Sequence, residues 1–236
     1  MSLEKDWRQR TELVLGEENL FRLQKSHVLI VGIGGVGGYV AEFLARSGVG
    51  EITIVDADNV ELTNLNRQIV ALHSTLGKEK VSALSSRMKD INPEIVLHIF
   101  PLFLTEGNLD TFIDQLGRVD FVVDAIDTLP SKIALIMKVQ ERGIPIISSM
   151  GAGGRIDPSR ISVADLNQTH HCPLSKVLRK GLREKGFYGK LPVVFSTEEL
   201  VHKTSPIGSM AHCVATFGAY LSAYVIDKLI SSPQKQ

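Results

Sequence analysis

A chain of 236 residues with 44% apolar content can bury a sizeable core, as one large domain or a tightly joined pair. Its formal net charge of +0 excludes a global field that would recruit nucleic acid or anionic membrane, so any such partner needs a local patch. Two cysteines, Cys172 and Cys213, exclude a disulfide framework; with an opening "MSLEKDWRQR" that lacks a secretory apolar segment, they lead us to expect a cytoplasmic location.

In chain order, the β-branched run "HVLIV" (27–31) predicts a strand, followed by a helix over 36–47 and a second strand, "EITIV" (51–55). A polar loop leads to a helix over 78–91 and then to "IVLHI". The run "VDFVVDAI" precedes a helix over 131–142, and "IPIIS" closes this series. Strands alternating with helices predict an α/β class built of parallel β-α-β units, a Rossmann-like arrangement. After Gly151 the pattern changes to a glycine turn, an Asp-Pro turn and a strand in "GAGGRIDPSRISVADL". A basic helix over 174–185, the strand "LPVVFS" and a long apolar helix over 209–230 complete the chain. The uninterrupted apolar stretch, Cys213 to Ile226, is shorter than the ~20 residues a membrane helix needs, so a buried core helix and no membrane insertion are expected. The whole, 1–236, reads as a single domain with a nucleotide-binding half (1–150) and a substrate-side half (151–236).

Gly32, Gly34 and Gly37 fit G-x-G-x-x-G between a strand and a helix, with Gly35 beside them, and Asp56 stands where a carboxylate can hold a ribose hydroxyl. Alone this is a weak signal, because such glycines admit any phosphate to a helix N-terminus. The downstream run "DADNVELTNLNRQ" (56–68) is more telling. Hydride transfer has no use for Asn64, Asn66, Arg67 and Gln68 there, whereas a nucleoside triphosphate does: Arg67 can pair with phosphate oxygens and the amides can donate further hydrogen bonds. Lys80 opens the next helix, within reach of the same phosphates. "DAID" (124–127) ends a strand, where Asp127 is a natural Mg²⁺ ligand beside polyphosphate; Asp124 is read instead as a helix cap, and Asp58 as a second acidic turn residue with or without a direct role.

These residues, in this order, resemble the ATP-binding half of the E1-like superfamily of ThiF/MoeB-type adenylating enzymes. The resemblance implies ribose contact at Asp56, phosphate contacts at Asn66, Arg67 and Lys80, and Mg²⁺ at Asp127. "WRQR" (7–10) is similar to the family's leading R-Y-x-R-Q, which implies a homodimer in which Arg10 reaches the neighbouring subunit's phosphates.

Two departures narrow the reading. "CPLS" puts Ser175 where a zinc clip would have a second cysteine, and two thiolates cannot close the usual site, so no structural zinc is expected. His170 and His171 beside Cys172 read as surface loop residues. "FSTEEL" puts Ser196 where transthioesterifying members carry a cysteine, and Cys213 reads as a small core residue. The second half resembles the tRNA threonylcarbamoyladenosine dehydratase group, which implies ATP-driven closure of that modified nucleoside into a ring. A sulfur-carrier adenylyltransferase is the alternative, and the resemblance leaves room for sulfur-relay partner proteins. On the basic helix, Lys176, Arg179, Lys180 and Arg183 share one face and Val177, Leu178 and Leu182 the other. That face is either ordinary solvated charge or a tRNA phosphate track, with Arg155 a further candidate for touching the modified nucleotide.

Overall fold

The computed structural model describes residues 6–200 and 207–231. Seven strands form one sheet in the order β3-β2-β1-β4-β5-β7-β6. These are β1 (His27–Val31), β2 (Glu51–Val55), β3 (Val96–Phe100), β4 (Phe121–Asp124), β5 (Ile146–Ser149), β6 (Ile161–Asp165) and β7 (Pro192–Ser196). Neighbours run parallel, in register from His27 opposite Glu51 and Val28 opposite Phe121, except that β6 pairs antiparallel with β7. β1 is buried from end to end, as expected of a central parallel strand covered on both faces.

The alternation along β1 divides the core. Val28 and Ile30 face one layer, which holds α3 (Gly37–Arg46), α4 (Lys80–Ile91) and α8 (Ala211–Ser231) through Leu44, Leu84 and Phe217. Leu29 and Val31 face the other, which holds α5 (Leu109–Leu116), α6 (Leu129–Glu141) and α7 (Pro173–Glu184) through Phe112, Leu135 and Leu178. Two helices not anticipated from the sequence, α1 (Gln9–Leu15) and α2 (Glu17–Gln24), precede β1. α2 anchors itself with Leu20 and Leu23, whereas α1 buries none of its residues.

The apolar C-terminal helix is longer than the stretch that suggested it. α8 spans 21 residues, 18 of them in a row reaching a mean hydropathy of 1.3, enough by length and composition to cross a membrane. The length argument therefore fails, because the helix runs past the apolar stretch through Ala211 and His212 at one end and Asp227 to Ser231 at the other. Its packing is that of a core element: Cys213, Val214, Phe217, Gly218, Leu221 and Val225 are buried. Gly218 lies so close to α3 that a Cβ would sit 2.7 Å from that of Tyr39.

Candidate active site

The strand order turns outward on both sides of β1 and β4, which opens a crevice above their carboxyl ends. A cavity of about 630 Å³ lies there, within the roughly 300–1,000 Å³ usual for small-ligand sites. Gly32, Gly34 and Gly35 line it. Gly32 has φ +83°, and a Cβ on it would press 2.7 Å from the Ala125 carbonyl oxygen. Gly37 does not line the cavity. It lets the first turn of α3 close on Gly32, whose carbonyl oxygen would lie 1.9 Å from a Cβ there. Gly32 and Gly37 thus bring the N-terminus of α3 against the turn, and Gly34 and Gly35 leave the backbone open to a phosphate.

Asp56 ends β2. Its Oδ2 accepts the Ile33 N–H (2.9 Å) and its Oδ1 the Asp58 N–H (2.9 Å), so the carboxylate is held rigidly at the cavity edge with lone pairs to spare. Asp56 N–H bonds the Phe100 carbonyl, which brings Leu102, Phe103 and Leu104 beside it as an apolar wall suited to a base. Lys80, the first residue of α4, is 5% exposed. It pairs with Asp58 at 2.7 Å and lies 3.7 Å from Asp56. Asp58 is accordingly a direct partner of Lys80, holding the ammonium at the cavity.

The 64–68 run is brought together in part. Arg67 lines the cavity and is half-buried, its Nη1 donating to the Thr63 carbonyl and Asn66 Oδ1 (both 2.9 Å). Gln68 is buried and lines the cavity, and its Oε1 has no hydrogen-bond partner; an acceptor left in that state fits a donor brought by a ligand, such as a nucleotide hydroxyl. Asn64 lines it as well, but its Oδ1 caps a short 3₁₀ turn by accepting the Glu61 N–H, which makes it a support for the loop. Asn66 departs from expectation: it does not line the cavity, and its Nδ2 donates to the Ser209 carbonyl (3.0 Å) at the approach to α8. Adjacent residues of a turn point apart, and the side chain takes the nearer carbonyl.

The two aspartates of "DAID" separate by role. Asp127 is exposed and lines the cavity. Asp124 does not cap a helix: it is fully buried, pairs with the equally buried Lys132 at 2.8 Å, and accepts Ser148 Oγ (2.6 Å) and the Ile126 N–H (3.1 Å). Lys132 Nζ also donates to the Ile126 carbonyl (2.9 Å), so this pair fixes the loop that carries Asp127. Sequence reasoning missed Lys132, although a lysine on the inner face of an apolar helix is a visible signal.

The chain matches the ThiF family over residues 8–236. It belongs to that family. The tRNA threonylcarbamoyladenosine dehydratase of Bacillus subtilis is 46% identical to it over 189 residues, 80% of this chain and 74% of that one. The Escherichia coli protein of the same name is 36% identical over 98% of this chain and 97% of its own. The crystal structure of the E. coli enzyme in complex with ATP superposes with a TM-score of 0.89 at 38% identity, covering 95% of both chains. A sulfur carrier protein adenylyltransferase of Thermus thermophilus is more distant, 29% identical over 76% of this chain.

The thiols of this ThiF chain are not placed for nucleophilic work. Cys213 is fully buried on α8, and burial first, then the Glu198 and Asp157 carboxylates, push its thiol pKa up. Ser196 is buried at the end of β7, its Oγ accepting the Glu198 N–H (3.1 Å), and Ser175 Oγ donates to the Cys172 carbonyl (2.9 Å) inside α7. Cys172 is buried as well, while His170 and His171 stack on one another at the surface. Among the described residues, the grouped metal-type side chains are His27, Glu51 and His98, near the amino ends of β1–β3 and away from the cavity. Both His27 ring nitrogens there already bond protein oxygens.

The basic helix needs two corrections. Val177 is 45% exposed, so the apolar face of α7 is narrower than its spacing suggested, carried by Leu178 and Leu182. Arg179 faces inward: its Nη1 donates to the Leu166 (2.9 Å) and Thr169 (3.0 Å) carbonyls and to Thr169 Oγ1. Those carbonyls flank a 3₁₀ turn, and the long basic side chain reaches both ends of it at once. Lys176, Lys180 and Arg183 remain exposed. Arg179→Ala should therefore lower stability by about 2 kcal/mol, the scale of charge-assisted hydrogen bonds. That corresponds to a fall in Tm of about 4–8 °C for a chain of this size. Thermal unfolding checks it; an unchanged Tm would return Arg179 to the solvent-facing set. Arg155 is 1% exposed, so it cannot touch RNA from the surface and reaches a ligand only from within the cavity it lines.

Proposed function

We propose that this protein uses ATP to close the threonylcarbamoyl side chain of modified adenosine 37 in tRNA into a ring, with net loss of water. The observation that carries the reading is the pairing of a cavity lined by Gly34, Gly35, Asp56, Arg67, Lys80 and Asp127 with serines, hydrogen-bonded and buried, at the positions where thiols would act. The likeness to the E. coli dehydratase along 95% of both chains supports it.

ATP binds with its base against Leu102–Leu104 and its ribose at Asp56. Its phosphates lie over Gly34 and Gly35, within reach of Arg67 and Lys80, and Asp127 would hold a Mg²⁺ ion, which would offset phosphate charge there. The threonyl carboxylate attacks a phosphorus of ATP to form a mixed anhydride, expelling pyrophosphate if that phosphorus is α and ADP if it is γ. The ureido group of the same side chain then attacks the activated carbonyl carbon, loses its proton to solvent and displaces AMP or inorganic phosphate, which carries away the carboxylate oxygen. That second attack is intramolecular and gains from proximity, so no enzyme nucleophile is required. The exposed Lys176, Lys180 and Arg183 of α7 take the tRNA backbone. The test is nucleoside mass analysis after incubation with ATP, Mg²⁺ and modified tRNA: a loss of one water per modified nucleoside is expected, with no protein thioester. Adenylation of a ubiquitin-like C-terminus without any change in tRNA would overturn it.

Assembly is part of the same proposal. α1 buries none of its own residues, yet Leu13 and Val14 on it are 75% and 82% exposed, and Phe21 on α2 is 52% exposed. Leu15 packs against the core, which leaves Leu13 and Val14 as an exposed apolar pair that fits a subunit interface. Arg10, exposed on α1, then reaches the partner's ATP. Mixing Arg10→Ala with Lys80→Ala subunits should restore part of the activity that each lacks, because one site of the heterodimer is complete. A fully active monomer at working concentration excludes the arrangement.

A further inference from the structure

Arg155 is the largest fully buried side chain, and nothing among the described residues neutralises it. Its Nη2 donates to the His171 carbonyl (2.7 Å), while Nε and Nη1 have no partner. A buried guanidinium without an acceptor for two of its three nitrogens is costly, and such a charge persists where an anion answers it. The side chain lines the same cavity as the ATP cradle but belongs to its far wall, with Met150, Gly151 and Leu174. Asp56 follows β2 and this wall follows β5, three strand positions away in the sheet, about 14 Å at the usual spacing. The carbonyl that anchors Nη2 precedes the N-cap of α7, Cys172, so the 12-residue helix directs its N-terminus at the same wall.

The backbone there is closely packed by neighbouring side chains. Gly154 holds φ +71°, and a Cβ on it would lie 2.7 Å from Leu200; one on Gly153 would lie 2.9 Å from Ile207. Glu198, the nearest buried acid of the 156–157 turn, is engaged by the Ile156 (3.1 Å) and Asp157 (3.0 Å) N–H groups rather than by Arg155. With Nε and Nη1 of Arg155 left unpartnered, the wall offers an anion the planar donor geometry that suits a carboxylate.

We infer that Arg155 binds the carboxylate of the threonylcarbamoyl substrate and presents it to ATP, a role that rests on the proposed function above. Its free N–H groups hold one carboxylate oxygen and leave the other to attack phosphorus. The experiment measures binding of an anticodon stem-loop carrying the modified nucleoside, and of the same stem-loop with its carboxylate capped as the methylamide. ATP affinity and turnover are followed in parallel for the wild type, Arg155→Met and Arg155→Lys.

The wild type should prefer the free acid by about ten- to a hundred-fold, the scale of a hydrogen-bonded charge. Arg155→Met keeps the length of the side chain and should lose that preference and raise KM for the stem-loop, with ATP affinity unchanged. Arg155→Lys should recover part of both. An Arg155→Met protein that binds ATP normally yet still prefers the acid overturns the inference. So does one whose main defect is weaker ATP binding, which would make the anion a nucleotide phosphate. In both cases wild-type turnover of modified tRNA stands, whereas a wild type that leaves modified tRNA unchanged defeats the functional reading itself.

Discussion

Arg67→Ala and Lys80→Ala should each lower turnover by about two orders of magnitude or more, the scale of removing one preorganised donor from a developing charge. Both side chains border the cavity, and their present partners are ones that a phosphate can supplement or replace. Arg67 bonds a neutral carbonyl and an amide oxygen, each of which leaves N–H groups free. Lys80 bonds Asp58, whose side chain is 70% exposed, and the more buried Asp56 carboxylate, 3.7 Å from the ammonium, keeps the Ile33 and Asp58 N–H groups when the lysine is removed. The folded state should therefore survive in both variants, and a single-turnover assay at saturating ATP reads the chemical step alone. Because the contacts strengthen as negative charge builds on the phosphoryl oxygens, kcat should fall more than ATP affinity. A near-normal rate in either variant would remove that residue from the site.

The fold was legible where the apolar period was clean. β1 and β2 coincide with "HVLIV" and "EITIV", since a central parallel strand needs an unbroken apolar run. Helix ends differed by one or two residues, as at α3 and α4. α5 escaped notice although Leu109, Phe112, Ile113 and Leu116 repeat at helical spacing, because eight residues between two strands read easily as a connection. The ATP cradle was readable because phosphate recognition demands particular residue types in a short ordered run. Which member of that run supports and which touches was not readable. Asn64 and Asn66 have the same donors and acceptors, and only the turn geometry sends one to cap a 3₁₀ helix and the other toward Ser209. Arg179 was misplaced, and the burial of Arg155 was not visible, for the opposite reason: an arginine in a polar stretch gives no sign of whether its stem lies along the surface or through the core.

Lys132→Met should produce the largest loss of stability of any substitution considered, about 3–5 kcal/mol. Lys132 and Asp124 are both fully buried and 2.8 Å apart, so removing the ammonium leaves a carboxylate in the core with only the Ser148 hydroxyl and the Ile126 N–H for company. For a chain of this length the melting temperature should fall by roughly 10 °C or more. Replacing both partners, as Asp124→Asn with Lys132→Met, should cost less than the lysine change alone, because no charge is then stranded. Activity should behave differently. Lys132 Nζ also holds the Ile126 carbonyl, one residue before Asp127, and that tether is lost in the double variant as in the single one. The double variant should thus regain stability while its KM for ATP stays raised, a separation that a purely structural ion pair would not give. If stability and KM recover together, the pair serves the core alone, and the position of Asp127 is fixed by something else.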